Sequence, residues 1–446
     1  VSVDGGTIKL DGNYPVGTNN VALGDAALDS NVSGGENVAI GSSALTALTT
    51  GNNNHAFGQG ALQSNVSGGE NVAIGRLALQ ANTASANTAV GHNAGYNNTT
   101  GANNTALGYA ALVNNTTASE NVAAGYQSLY SNVTGANGTS VGHQALRSNT
   151  ANNNTAVGRK AAYTNTSGTY VTALGSQALI FNTTGSYNVA VGSNSLYNNT
   201  TASYNTAVGY QAQYSTSTAG GNTAVGYQAS YANTSGGDNT ALGFQALLDA
   251  TSANFTTAVG HQAGFNITTG NHNTAIGRNA LHTNTTGAFN VALGNQALED
   301  NTASNNTALG YEALRLNTTA SNNTAVGYQA GASNTTGIKN VFFGSLAGDA
   351  ITTGNNIVAV GYQALSYDQQ GSGSVAIGNQ ALTTQRFTSA TAAYNVAIGQ
   401  QAGQEVTTGI KNVFIGGLSG DATTTAEENT AVGYESMTTN TTGGDN

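Results

Sequence analysis

A short pattern of small, apolar and β-branched residues recurs through almost the whole chain and predicts a repeated β-strand. Its core is "NxAxG", in which Val or Thr, then Ala, then a second apolar residue precede a glycine. The stretch "NTAVGYQA" stands at 205–212 and returns unchanged at 222–229 and 323–330. Side chains alternate along a strand, so the Ala points to one face and its two neighbours to the other. The Asn, Thr and Gly that fill the intervals are typical of turns.

The glycine that ends each copy, which we call position 0, sets a nearly constant period. Twenty-five copies run from Gly24 to Gly433, and twenty of the twenty-four spacings are 17 residues. Three spacings are 16, and one, between Gly378 and Gly399, is 21. Thr, Asn and Gly are poor helix formers, so a helical repeat is not expected. We predict an all-β fold, a parallel β-solenoid of about 25 coils, each with a strand, a glycine corner, a short second strand and a polar turn.

The repeat pattern also predicts how the chain is organised. We assign residues 17–446 to the solenoid and residues 1–16, which contain Pro15 and break the pattern, to a leader or a junction with a preceding segment. The last residues stop in the turn before another strand, so we expect a fragment of a longer chain. Coils stacked at about 4.8 Å would make a rod roughly 120 Å long. The long spacing predicts an enlarged turn at 383–395.

The nearly invariant Ala at position −2 predicts a contact between chains. Positions −3 and −1 carry Val or Thr and larger apolar residues, and we assign them to the core. A strand that is apolar on both faces is usually covered on both. We therefore expect a second chain to approach along the Ala row, which includes Ala89, Ala106, Ala207, Ala224 and Ala325. The alternative is that Ala only lets two flat walls of one thin coil lie close together.

Composition and charge exclude several classes of partner. Only 7% of the residues are charged, the net charge is −10, and there is no run of basic residues of the kind that binds nucleic acid or anionic lipid. No apolar stretch approaches the length of a transmembrane helix. The chain has no Cys, which excludes disulfides and thiol chemistry. We expect no nucleic-acid partner and no membrane insertion.

Catalysis requires unlike groups that converge at one site, whereas this chain offers the same groups in every coil. We therefore expect no enzyme activity, no cofactor and no metal. His92, His143 and His261 all occupy position +1, but they lie many coils apart.

Position +1 is the first candidate for ligand binding, because it carries Tyr in several coils. These tyrosines could form a stripe that stacks on sugar rings, or they could simply stack on one another between coils. The predicted stripe comprises Tyr109, Tyr126, Tyr210, Tyr227, Tyr311 and Tyr328. The second candidate is the enlarged turn, where Arg386 and Phe387 are unusual residues for this chain and would form a contact loop.

The stretch "NVAIG" at 37–41, 71–75 and 395–399, with Ala three residues after the glycine, resembles the head repeat of trimeric autotransporter adhesins of the YadA type. The fuller form with "NTTG" turns is similar to repeats in virion structural proteins and tail fibres of marine and cyanobacterial phages. The resemblance implies a left-handed β-roll and a homotrimer. The period of 17 is longer than that of the adhesins, and no coiled-coil stalk or anchor strands are visible, which favours the phage fibre.

These observations together predict a structural role. We expect the shaft of an adhesive fibre, on a phage tail or virion, that associates with itself and displays or contributes binding to a cell-surface glycan or protein receptor. The expected location is extracellular or on the virion surface. A bacterial surface adhesin or extracellular filament subunit is the alternative. An ice-binding solenoid is a more distant one, because Thr recurs at −3, although we assign that side of the strand to the core.

Overall fold

The fold is given by a computed structural model that describes residues 16–446, so the predicted leader, residues 1–16, lies outside the described residues except for Val16. Within those residues every regular element is a β-strand and no helix occurs. The predicted all-β parallel β-solenoid with a period of about 17 residues is confirmed. The chain divides into two compact units, of which one ends at Gly220 and the other begins at Gly221.

The first unit carries one three-residue strand per coil, at positions −3 to −1. Each strand pairs in parallel with the next, and equivalent residues stand side by side, as in Ala22 beside Ala39. The strands are β1 Val21–Leu23, β2 Val38–Ile40, β3 His55–Phe57, β4 Val72–Ile74, β5 Thr88–Val90, β6 Thr105–Leu107, β7 Val122–Ala124, β8 Thr139–Val141, β9 Thr155–Val157, β10 Thr172–Leu174, β11 Val189–Val191 and β12 Thr206–Val208.

The second unit repeats this arrangement and adds one feature. Its main ladder is again parallel and in register, while two extra strands pair only with each other: Gly371–Ser372, in the turn of the preceding coil, and Thr391–Ala392, in the enlarged turn. The strands are β13 Thr223–Val225, β14 Thr240–Leu242, β15 Thr257–Val259, β16 Thr274–Ile276, β17 Val291–Leu293, β18 Thr307–Leu309, β19 Thr324–Val326, β20 Val341–Phe343, β21 Val358–Val360, β22 Gly371–Ser372, β23 Val375–Ile377, β24 Thr391–Ala392, β25 Val396–Ile398, β26 Val413–Ile415 and β27 Thr430–Val432.

The segment after the glycine corner is a turn, so the predicted short second strand is wrong. Residues at +2 and +4 adopt left-handed backbone, for example Ser43 with φ 60° and Leu45 with φ 51°. The amide of Leu45 nevertheless donates to the carbonyl of Ala61 in the next coil at 3.0 Å. Left-handed residues bend the chain while coil-to-coil hydrogen bonds continue, so the wall stays bonded without strand geometry.

The interior is filled by Ala at −2 and +3 and, in many coils, by Leu at +4. In one such coil Ala39, Ala44 and Leu45 have no exposed surface. Position +4 faces −2 across the interior, since a Cβ added to Gly264 would lie 3.6 Å from the Ala258 methyl. The core is therefore one small side chain against one medium side chain, repeated in each coil.

The predicted chain–chain contact through Ala is wrong, because these residues lie inside their own chain. The alanines named for it are fully buried, or 2% exposed in the case of Ala106: they are Ala89, Ala106, Ala207, Ala224 and Ala325. Only a methyl group fits between the strand wall and the side chain at +4. The alternative interpretation, in which Ala lets two walls of one coil lie close, is the one that the burial supports.

Two rows of buried Asn side chains bond the polar turns from within. At −4, the backbone N–H of Asn54 donates to the side-chain oxygen of Asn37, and its side-chain amide donates to the Gly68 carbonyl, both at 2.9 Å. At +7, the side-chain amide of Asn65 also donates to Gly68 at 2.9 Å, and the Gly68 N–H donates back at 3.0 Å. These bonds satisfy backbone groups that turns would otherwise bury unpaired.

Asn165→Ala is expected to destabilise the first unit by about 1–3 kcal/mol, the usual cost of leaving buried polar groups without partners. The Asn165 amide donates to the Asn149 side chain and to the Gly168 carbonyl, and its oxygen accepts from Asn182. Urea unfolding measures the loss. Ser167→Ala, which removes an exposed hydroxyl two residues away, is the control and should shift stability by less than about 0.5 kcal/mol. Equal effects of the two substitutions would contradict the prediction.

Candidate functional site

The side chains at −3 and −1 point outward and form what we call the strand face. Ile74 is 41% exposed and Leu242 is 45% exposed, whereas the Ala between the two positions is buried. The prediction that −3 and −1 form the core is therefore wrong. A signal was present in the sequence: position −3 tolerates His55, and position −1 ranges from Ala124 to Phe57, a variation more typical of a surface than of a thin core.

The strand face carries no Lys, Arg, Asp or Glu in any coil. Position −3 holds only Val, Thr and one His, and position −1 holds only Val, Leu, Ile, Phe and one Ala. Since neighbouring strands pair in register, these side chains form two straight rows within each unit. A continuous row of exposed apolar side chains, such as the row at −1, marks an interaction site more often than a single exposed apolar residue does.

The tyrosines at +1 are exposed and stack between coils. Tyr109 and Tyr126 have ring centroids 5.4 Å apart at 11°, and His92 and His143 extend the same stack at its two ends. Tyr311 and Tyr328 form a second stack, with centroids 5.5 Å apart, and Tyr227 stacks on Phe244 at 5.2 Å; Tyr210 is also exposed. Within a stack each ring covers the face of its neighbour. A sugar would therefore find edges and hydroxyl groups along such a stripe, with free faces only at its ends.

Two further aromatic rows were missed by sequence reasoning. At −5, in the turn before the strand, Tyr187 lies between Tyr170 and Tyr204, with centroids 5.1 and 5.2 Å away. At +5, Tyr197 stacks on Tyr214 at 4.8 Å. The signal was the recurrence of aromatic residues at the repeat spacing in segments that we treated only as polar turns.

The enlarged turn is organised around one buried carboxylate. Asp368 accepts hydrogen bonds from the backbone N–H groups of Gly371 and Phe387 at 3.1 and 3.0 Å, and from the side-chain amide of Gln385 at 2.6 Å. Arg386 is exposed, but Phe387 is buried. The prediction that both side chains form a contact loop is therefore wrong for Phe387. Side chains alternate here, so 385 and 387 point inward and only Arg386 points to solvent.

An open cleft of about 420 Å³ lies beside the enlarged turn. Its walls are Tyr367, Thr384, Arg386, Thr407 and Thr408, contributed by three successive coils. The backbone N–H of Arg386 donates to the Thr407 carbonyl at 2.9 Å, and this bond fixes the arginine backbone against the next coil. The cleft thus combines an aromatic ring, a guanidinium group and hydroxyl groups at one place.

Ionisable groups with shifted pKa values occur on several coils. Burial raises the pKa of the Asp349 carboxyl, and the Ser366 hydroxyl, which donates to it at 2.6 Å, acts in the opposite direction. Burial lowers the pKa of His282, against the negative charges of Glu299 and Asp300. Across residues 16–446, no group of three or more His, Asp or Glu is placed to hold a metal ion. In the same residues no helix is long and apolar enough to cross a membrane.

The surface features are thus the strand face, the aromatic stacks and the cleft at the enlarged turn. The first two recur in many coils, and the third occurs beside the one spacing of 21 residues. A scan against protein-family models and a search of curated proteins found no match to this chain.

Proposed function

We propose that this chain is the shaft of an adhesive fibre on a phage tail or virion, and that copies of it associate along the strand face. The observation that carries the proposal is that the outward positions −3 and −1 hold no Lys, Arg, Asp or Glu in any coil, and that they line up in rows within each unit. In a solenoid each coil contacts only its neighbours, so repetition adds length without building a new pocket. Such repetition makes a long scaffold that can carry a binding site.

The strand face gives the association a physical basis. Ile74, Leu107 and Leu242 are each 40% exposed or more, and they lie in rows with no charge to favour contact with water. Removing such surface from water is favourable by about 25 cal/mol per Å². Three copies is the number that the resemblance to trimeric adhesin heads implies. In this arrangement the alanines stay inside each chain, and the Val and Thr row at −3 and the apolar row at −1 meet along the fibre.

Sedimentation of the purified native protein tests the association. We expect a particle of three times 44.5 kDa, the number of copies that the resemblance to trimeric adhesin heads implies. A particle of a single 44.5 kDa chain at micromolar concentration would contradict the proposal.

A lysine series locates the contact. Charging one row in four successive coils, with Leu242→Lys, Val259→Lys, Ile276→Lys and Leu293→Lys, should convert the trimer to single chains, because buried unpaired charges are costly. The matched control places four lysines in the turns of the same region, with Ser235→Lys, Ser252→Lys, Thr269→Lys and Thr286→Lys. The control should sediment as the trimer. If both sets or neither set dissociate the particle, the strand face is not the contact.

The alternative of a bacterial surface adhesin or filament subunit would use the same face. It differs in where the protein occurs. Mass spectrometry of purified virions and of bacterial envelopes separates the two, since a phage fibre copurifies with virions and an adhesin with the envelope.

One observation favours ice binding as a second candidate function. The structure turns the −3 position outward, so the argument that this side is core no longer applies. In the second unit Thr223, Thr240, Thr257 and Thr274 form an outward row on four successive paired strands. A thermal hysteresis measurement tests this function. If the wild-type protein has thermal hysteresis activity and the strand-face lysine variant has none, the strand face binds ice and does not form the fibre contact.

A further inference from the structure

We infer that the cleft at the enlarged turn binds an acidic saccharide, with a hexuronate carboxylate on Arg386 and the sugar ring against Tyr367. The other surface features recur from coil to coil, whereas this cleft lies beside the single insertion in the repeat. A binding site that is used once on a repetitive fibre would be built at such an exception.

The insertion is held by a buried polar network that differs from the usual Asn rows. Asp368 and Gln385 occupy position +7, where Asn stands in many coils, and they bond to each other at 2.6 Å. The Gln385 side-chain oxygen accepts from Asn395 at 2.9 Å, and Asp368 accepts the Phe387 N–H at 3.0 Å. The residues on both sides of Arg386 are therefore fixed from inside the coil. This network limits the freedom of the Arg386 backbone before any ligand binds.

Arg386 supplies the recognition of an anion. It is exposed, and among residues 16–446 no carboxylate lies within ion-pair distance of it. A guanidinium group presents paired N–H donors in a plane that matches a carboxylate, so it selects carboxylates over neutral groups. The net charge of the chain is −10, so the attraction for an anion comes from this side chain and not from the whole surface.

Tyr367 and the threonines supply the recognition of a sugar. Tyr367 is 54% exposed, and in the described part of the chain no aromatic ring stacks on it, unlike Tyr109 or Tyr126. Its face is thus open to the C–H side of a pyranose. The Thr384 hydroxyl donates to the Gln404 carbonyl at 2.6 Å, which leaves its lone pairs to accept from sugar hydroxyls. A volume of about 420 Å³ falls within the range of small-ligand sites.

Calorimetric titration of the native particle with an oligogalacturonate, and with the same oligomer as its neutral methyl ester, tests this inference. We expect binding of the acid form and loss of binding for the ester. Arg386→Gln and Tyr367→Ala should each weaken binding by about tenfold or more. Arg278→Gln and Tyr362→Ala, which change an exposed Arg and an exposed Tyr at +1 in the same unit, are matched controls and should leave it unchanged.

Several outcomes would overturn the inference. These are equal binding of acid and ester, unchanged binding by Arg386→Gln, or no heat at millimolar oligomer. A fourth is that inorganic sulfate competes fully while Tyr367→Ala has no effect, because the cleft would then be a simple anion site. All four variants leave the strand face intact, so their sedimentation should match the wild type. A failure of saccharide binding therefore does not contradict the fibre proposal, and a failure of trimer formation does not contradict saccharide binding.

Discussion

Phe342→Ala is expected to destabilise the second unit by about 3–5 kcal/mol, the usual cost of removing a fully buried aromatic ring. Phe342 occupies position −2, where all other coils except those of Ser140 and Phe414 carry Ala, and it has no exposed surface. The space for its ring comes from two glycines at +4, Gly331 in the preceding coil and Gly348 in its own, a position at which Leu is the commonest residue. A Cβ added to either glycine would overlap the ring. The shift in the urea midpoint measures the effect.

In this coil the large side chain stands at −2 and not at +4, so moving it to +4 should restore stability to the Phe342→Ala variant. In the Phe342→Ala background, Gly348→Leu should recover a substantial part of the lost stability, because it restores the Ala and Leu pair of the ordinary coils. Leu accepts the left-handed backbone at +4 elsewhere, as Leu45 does with φ 51°. Gly348→Leu alone should destabilise the unit. Tyr362→Ala, an exposed aromatic, is the control and should shift stability by less than about 0.5 kcal/mol. A double variant no more stable than Phe342→Ala would disprove this account of the core.

Gly416→Ala is expected to cost about 2–6 kcal/mol, from backbone strain and from overpacking between coils. Gly416 is a corner glycine with φ 134°, a conformation that residues with a side chain rarely adopt. An added Cβ would also overlap the carbonyl of Gly433, the corner glycine of the next coil. Both coils would have to move apart, which would weaken the hydrogen bonds between them. Hydrogen exchange of amides in β26 and β27 measures the effect.

The neighbouring residue provides a matched control. At Gly417 an added Cβ would meet its nearest atom, in the Tyr434 ring, at 3.4 Å, which is an ordinary contact. Gly417→Ala should therefore leave exchange in β26 and β27 nearly unchanged. Similar protection in both variants would show that the corner does not require glycine.

The sequence was sufficient to predict the solenoid because the spacing of the corner glycines reports one physical unit per copy. It was not sufficient to say which side of the strand is inside. Alternation requires only that −2 opposes −3 and −1, and apolar residues occupy both sides. Closure of the coil decides the question, and it depends on Leu at +4, which a sequence argument would not place in left-handed backbone. The pair of Phe342 and Gly348 indicated the inner side of the strand, since a large side chain at −2 coincides with a glycine at +4.

The candidate site was predictable to a smaller extent. The spacing of 21 residues pointed to the enlarged turn and to Arg386. Phe387 was misplaced because the strand-like alternation through the insertion is set by the buried Asp368, and nothing in the repeat foreshadows that residue. Tyr367 was missed because it lies one coil earlier than the insertion. Only the stacking of coils brings it to the same cleft as Arg386.

The in-register ladder has a consequence for inheritance. Strands separated by 16 residues, such as those of Ala73 and Ala89, and by 21 residues, such as those of Ala376 and Ala397, still align Ala with Ala. The turns absorb every difference in length, so the junctions between ordinary coils, those with Ala at −2, share one backbone register. Unequal recombination between copies in the gene can then delete or duplicate ordinary coils while the strands stay in register. The number of coils is in this sense a heritable quantity that changes in steps of one.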